Sequence, residues 1–250
     1  MSAPKITVLD GHTLNPGDLS WAPLEALGDV TLHARTPLEL VVERARAAQL
    51  LITNKVVIDA AAMAALPALR YIGVTATGTN IVDKAAARER GIVVSNVPSY
   101  GADSVAEHTL SLMLEAAKHL GAHTAAVRAG GWARQPDFSF SVGEIRLLAR
   151  RTLGLVGLGA IGRRVAELAR AFKMTLLATG RRGGPTPNLD GVHWCELGEL
   201  VERADFVSLH CPLSEQTQGM INAALLGRMR PKAVLINTSR GGLIDEAALA

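Results

Sequence analysis

Aromatic residues make up only 4% of this chain, and among its 250 residues there are two cysteines, Cys195 and Cys211. Two cysteines do not make a disulfide scaffold, and a cytoplasmic location is the default expectation. No apolar run approaches the ~20 residues needed to cross a bilayer, so no membrane contact is predicted. The opening MSAPKITVLD reaches Asp10 after a short strand-like stretch and is not read as a signal peptide. No Lys/Arg run exceeds two residues, and the net charge is only +3 at a pI of 9.1. With so few aromatics to interleave, nucleic-acid binding is not expected. Internal repeats and low-complexity segments are not evident, and no metal site is read. What the chain does have is apolar mass. Hydrophobic residues are 48% of it and the mean hydropathy is +0.21, which indicates a well-cored protein of one large domain or two smaller ones.

Short apolar strands alternate with helical patterns from end to end. Before residue 100 the candidate strands are Lys5–Leu9, Val30–Ala34, Leu50–Thr53, Tyr71–Thr75 and Ile92–Ser95, with helical stretches such as Leu38–Ala48 and Asp59–Leu66 between them. A second set holds Leu153–Gly157, Thr175–Thr179, a strand near His193, Phe206–His210 and Val234–Asn237. Its helices include Arg163–Phe172, Leu197–Arg203 and Asn222–Met229. This alternation predicts parallel sheets covered on both faces. The join falls near Val97-Pro98-Ser99, where proline and small residues stop the strand pattern. The expected domains are therefore 1–98 and 99–250. A long helix follows the join, from about Ala102 to Arg128, with Val105, Leu112, Leu114, His119 and Leu120 on more than one face. Burial by a second subunit and packing within the chain are both open readings of it.

The strand at Leu153 runs straight into glycines at 157, 159 and 162, so LGLVGLGAIG is a G-x-G-x-x-G turn between a strand and a helix. In that context the motif points to a dinucleotide pyrophosphate. Gly157 permits the tight turn, Gly159 lets the backbone approach the phosphates and Gly162 lets helix and strand pack closely. The helix N-terminus offers free N–H groups and partial positive charge. In such units an acidic residue usually ends the next strand and binds the adenosine ribose. Here that strand ends Ala178-Thr179-Gly180-Arg181-Arg182. Gly180 stands where the carboxylate is expected, and Arg181 and Arg182 are placed to pair with a 2′-phosphate. This reads as a preference for NADP(H). If the two arginines are only surface charge, NAD(H) is also accepted. Two more strand ends carry polar residues, Leu209-His210-Cys211-Pro212-Leu213 and Asn237-Thr238-Ser239-Arg240-Gly241-Gly242. Ligands of open α/β sheets bind beyond such ends. An arginine at position 240 can hold a carboxylate by two charge-assisted hydrogen bonds and polarise an adjacent carbonyl.

Taken together, these segments resemble the D-isomer-specific 2-hydroxyacid dehydrogenases. The likeness runs from about Lys55 to Ala250 through five blocks in order: YIGVTATGTNIVD (71–83), GIVVSNVPSYGADSVAEHTLSLML (91–114), TLGLVGLGAIGRRVAELARAF (152–172), SLHCPLSEQTQGMIN (208–222) and AVLINTSRGGLIDEAAL (233–249). The segment GGWARQPDFSF is similar to the glycerate dehydrogenase or hydroxypyruvate reductase branch.

The resemblance implies an α/β architecture of two doubly wound parallel-sheet domains. One is a flavodoxin-like substrate domain, the other a Rossmann dinucleotide domain, with the active site in the cleft between them. It implies that the backbone N–H groups of Thr77, Gly78 and Thr79 receive the substrate carboxylate as a small anion-binding nest. By the same resemblance, Ala160 and Ile161 present amides to the pyrophosphate. His210, Cys211, Pro212 and Thr217 line the adenosine and pyrophosphate side. Thr238 and Ser239 lie near the nicotinamide ribose, and Arg240 is the substrate arginine. A homodimer through residues 102–128 is also implied.

The expected reaction is reduction of a small 2-oxo acid, hydroxypyruvate or glyoxylate, to the D-2-hydroxy acid. In the family a Glu and a His supply the proton downstream of the S-R-G-G block. This sequence stops at Ala250 inside a helix pattern, which reads as a truncation that also omits the return segment of the first domain. His108, His119 and His123 are helix residues and are not promoted to the missing role. A nucleotide-binding scaffold without turnover, and a dehydrogenase for another 2-hydroxy acid, are the alternatives.

Overall fold

The computed structural model describes residues 3–180 and 189–250. Arg181 and Arg182 lie outside the described residues. The chain forms two compact units, the first ending at Tyr100 and the second beginning at Gly101.

The first unit is a five-stranded parallel sheet of β1 (Lys5–Val8), β2 (Asp29–Leu32), β3 (Leu50–Thr53), β4 (Tyr71–Val74) and β5 (Val93–Asn96) in the order β2-β1-β3-β4-β5. Its helices are short: α1 (Gly11–Leu14), α2 (Ala22–Glu25), α3 (Val41–Ala45), α4 (Ala60–Ala64) and α5 (Lys84–Glu89). Asp59 and Asp83 cap α4 and α5 by accepting the amides of Ala62 and Ala86. Leu51, Ile58, Met63, Leu66 and Ile72 are buried in the core beside the sheet. The expected helix Leu38–Ala48 is reduced to a 3₁₀ turn at Leu38–Leu40 followed by α3; Leu38 stays at the surface while Val41, Ala45 and Ala48 turn inward.

The second unit begins with α6 (Ala102–Lys118) and α7 (Leu120–Arg128). The single helix expected over 102–128 is broken at His119, which adopts a left-handed conformation at φ 52°. Two interactions favour the break. The Glu115 carboxylate accepts the Gly121 amide, and the His119 ring packs against Gly143. Ala106, Leu110, Met113 and Ala117 recur every three or four residues and bury one face of α6. Leu112 and Leu120 are exposed, so within this chain only one side of the helix is covered.

The sheet of this unit contains β6 (Thr152–Val156), β7 (Thr175–Thr179), β8 (Val192–Trp194), β9 (Phe206–Leu209) and β10 (Val234–Asn237), all parallel, in the order β10-β9-β6-β7-β8. Its remaining helices are α8 (Ala160–Ala171), α9 (Leu197–Arg203), α10 (Ala223–Leu226) and α11 (Glu246–Leu249). Leu153, Leu155 and Leu176 face the α6–α8 side, while Val156, Leu177 and Val207 face α9. Central parallel strands buried on both faces read as continuous apolar runs, as β6 and β9 do. Both units are thus doubly wound α/β sheets.

Candidate functional site

In the second unit the strand order reverses between β6 and β9, and ligands of doubly wound sheets bind at such a reversal. The glycine turn leaves β6 there. Gly157 has φ +98°, a region that L side chains avoid, and a Cβ on it would lie 2.8 Å from the His210 carbonyl oxygen. A Cβ on Gly162 would lie 2.2 Å from the Gly157 carbonyl oxygen, so α8 can start this close to the strand only with glycine. A Cβ on Gly159 would meet nothing within 4 Å, which leaves that side of the turn open to a ligand. The helix begins at Ala160, three residues before the expected Arg163, and Gly159 makes no side-chain cap. Among the described residues the first amides of α8, those of Ala160 and Ile161 included, therefore have no partner and point out of the helix. The turn and its free amides fit a pyrophosphate.

His210 follows β9, and its amide donates to the Val156 carbonyl at 2.8 Å. Its ring is buried. Ser208 Oγ lies 2.9 Å from Nε2, and among the described residues Nδ1 has no partner. Burial pushes its pKa from 6.5 down to about 4, so the ring is neutral at physiological pH. Cys211 is half-buried against Met220, with its thiol pKa raised by burial. It is a free thiol, as is Cys195. Thr217 shapes the loop beyond it. Its hydroxyl donates to the Pro212 carbonyl at 2.7 Å and accepts the Ser214 amide at 2.8 Å.

At the end of β10, Ser239 Oγ donates to the Leu209 carbonyl at 2.9 Å, tying this strand end to that of β9. Thr238 Oγ1 lies 3.3 Å from Thr109 Oγ1 on α6. Arg240 is exposed, and among the described residues its guanidinium donates only to the neighbouring Ser239 carbonyl at 3.0 Å, so it keeps donors to spare. At the end of β7, a Cβ on Gly180 would come within 3.2 Å of the Trp194 ring. A side chain at 180 would require that indole to give slightly.

In the first unit Thr77, Gly78 and Thr79 follow β4. Asn96 Nδ2 donates to the Thr77 carbonyl at 2.8 Å, and Thr77 Oγ1 donates to the Val97 carbonyl at 3.1 Å. Among the described residues none of the three amides has an acceptor. They form a short row of free donors at the carboxyl edge of the sheet.

Residues 110–250 match the model of the D-isomer specific 2-hydroxyacid dehydrogenase NAD-binding domain. The chain belongs to this family. It is 38% identical over 248 residues to a hydroxypyruvate reductase from Blautia hydrogenotrophica, covering 98% of this chain and 77% of that protein. It is 40% identical over 214 residues to a glycerate dehydrogenase from Methylorubrum extorquens, covering 86% of this chain and 66% of the relative. A solved acyclic imino acid reductase in complex with NADPH and D-Arg superimposes with a TM-score of 0.83 at 31% identity, over 98% of this chain and 77% of the other. As a 2-hydroxyacid dehydrogenase the protein is an NAD(P)-dependent oxidoreductase. A nicotinamide cofactor is consistent with the second unit's glycine turn, open Gly159 face and free amides. When bound, that cofactor supplies the hydride.

Sequence reasoning passed over several residues that shape this site. The Asn237 side chain accepts the Ser239 amide at 3.0 Å and donates to the Arg240 carbonyl at 2.8 Å, which sets the turn that carries the arginine. An asparagine at a strand end, two residues before a small polar residue, is a turn signal that was there to be read. Ser208 and Trp194 left no such mark, because their places come from lying beside His210 and Gly180 in the fold. Among the described residues no cluster of His, Cys, Asp and Glu is arranged to hold a metal, and no helix is long and apolar enough to cross a membrane.

Proposed function

We propose that this dehydrogenase reduces a small 2-oxo acid, hydroxypyruvate foremost and glyoxylate second, to the D-2-hydroxy acid, with NADP(H) preferred over NAD(H). The observation that carries the reaction class is the β6–α8 turn at the strand-order reversal, where Gly157 and Gly162 approach backbone so closely that any side chain is excluded. The substrate reading is supported by the relatives named hydroxypyruvate reductase and glycerate dehydrogenase. The cofactor preference is supported by Gly180, which carries no carboxylate to repel a 2′-phosphate.

In this reading residues 1–98 bind the acid and residues 99–250 bind the cofactor. Thr77, Gly78 and Thr79 donate their amides to the substrate carboxylate. Arg240 pairs with that carboxylate and polarises the carbonyl to be reduced. Gly157 to Gly162 hold the pyrophosphate, with the amides of Ala160 and Ile161 as donors. His210, Cys211, Pro212 and Thr217 line its far side, and Thr238 and Ser239 meet the nicotinamide ribose. Arg181 and Arg182 take the 2′-phosphate. Exposed Leu112, Leu120 and Val127 support a second copy packing on residues 102–128. The two free thiols fit a cytoplasmic location.

The test is the rate of NADPH oxidation with hydroxypyruvate beside that of NADH, using the full-length protein. Faster turnover with NADPH is expected. Faster turnover with NADH would overturn the cofactor assignment. Reduction of other 2-oxo acids but not hydroxypyruvate would overturn the substrate.

A further inference from the structure

The strand order of the first unit reverses between β1 and β3, the second such reversal in this chain. Asp10 stands there, two residues beyond β1. It is 4% exposed, yet among the described residues no cation pairs with it. Its carboxylate is spent on backbone instead. Oδ1 accepts the Asn54 amide at 2.8 Å and Oδ2 accepts the Lys55 amide at 2.6 Å. A buried ion held only by amides is a costly way to fix a turn unless the position of that turn matters.

The turn so held, Thr53 to Val56, is braced on two further sides. Asn54 Nδ2 donates to Thr13 Oγ1 at 3.1 Å, and Thr13 Oγ1 donates in turn to the Asp10 carbonyl at 2.8 Å. Thr53 Oγ1 accepts the Val56 amide at 3.1 Å. On its other side the Thr53 carbonyl accepts the Thr75 amide at 2.9 Å. Thr75 is the first residue after β4, and two residues further begin the free amides of Thr77, Gly78 and Thr79. Two residues on, Asn96 on β5 fixes the Thr77 carbonyl, and past the row the Thr79 carbonyl accepts the Val82 amide at 3.1 Å. The start of the row is therefore set by Thr75 and Thr77, and the support on the β3 side leads back to Asp10.

We propose that Asp10 is a positioning residue for recognition of the substrate acid. Acting through Thr53 and Thr75, it holds the Thr77–Thr79 amides at the spacing a carboxylate needs. This rests on the reading that those amides receive the acid. Two effects of replacing Asp10 have opposite signs. Removing a negative charge near an anion site favours the acid, so by charge alone Asp10→Asn lowers the KM for the acid. In the positioning account the Asn Nδ2 donor faces one of the two amides, the turn shifts, and KM rises.

The experiment compares the full-length wild type with Asp10→Asn and Thr13→Val, using hydroxypyruvate and NADPH, with hydrogen exchange of the amides alongside. The KM for the acid is expected to rise roughly tenfold in Asp10→Asn and about threefold in Thr13→Val, the scale of one lost charge-assisted or neutral hydrogen bond. The KM for NADPH is expected to stay within about twofold, since the cofactor turn lies in the other unit. Exchange should quicken at the hydrogen-bonded amides on this path, those of Asn54, Lys55 and Thr75, in both variants. A KM for the acid that falls or holds while melting temperature drops would overturn the proposal and leave Asp10 a structural residue. If Asp10→Asn does not fold, Thr13→Val, at an exposed position, decides on the same criteria. A wild type that reduces no 2-oxo acid would sink the functional reading itself. A wild type that does, with KM unmoved in both variants, would sink only the role of Asp10.

Discussion

Acid should destabilise this protein through the His210 imidazole. In the folded chain burial pushes the pKa of His210 from 6.5 to about 4. The neutral ring sits with Ser208 on one side and, among the described residues, no partner on Nδ1. The unfolded chain binds the proton from pH 6.5 downward and the folded chain only near pH 4. Between those values the unfolded state therefore holds more protons, and stability falls as pH falls. The stability is complete above pH 6.5. The loss amounts to about 2 kcal/mol at pH 5 and about 3 kcal/mol once pH is below 4.

His210→Gln removes the titration while keeping a neutral polar side chain. Urea unfolding of wild type and variant at pH 8 and pH 5 separates this effect from the packing lost at both. The wild type should lose about 2 kcal/mol more than the variant between the two conditions, or about 4–8 °C in melting temperature. His33, whose pKa burial and Arg44 also lower, is the same in both proteins and cancels in the comparison. Equal pH dependence in the two would refute the argument and show that the folded ring accepts a proton as readily as the unfolded one.

Two further substitutions probe the second unit. Gly162→Ala places a Cβ 2.2 Å from the Gly157 carbonyl oxygen, so the turn must open. A cost of about 2–3 kcal/mol in stability and loss of NADPH binding by fluorescence titration are expected, and wild-type affinity would show that the close approach is dispensable. Arg240→Ala removes an exposed side chain that, among the described residues, is bonded only to the neighbouring Ser239 carbonyl. Melting temperature should hold while kcat/KM for the acid drops about 100-fold, near 3 kcal/mol of transition-state binding. Unchanged kcat/KM would remove Arg240 from the site.

Strands and turns with local causes were legible. Thr175–Thr179, Val234–Asn237 and the helix Leu197–Arg203 stand at the bounds their periodicity predicts. The glycine turn was legible because each glycine answers to a backbone demand. The start of α8 was misplaced by three residues, since its first turn carries no apolar repeat and is fixed by the glycines before it. The break at His119 was invisible, because Gly143, which makes room for its ring, lies 24 positions away. Asp10 looked like the polar end of a strand. Its role appears only when β1 and β3 are neighbours and the Asn54 and Lys55 amides come within reach.

The sequence by itself determined the alternation of strands and helices, the dinucleotide turn and the residue types at the strand ends. These depend on φ, ψ and side-chain periodicity over a few neighbours, which a linear chain already specifies. Only the tertiary structure decided which strand ends share an edge and which carboxylate faces which amide. It also decided which histidine loses its charge. Those are matters of distance between residues 30 or more positions apart, and of the water that packing removes from between them.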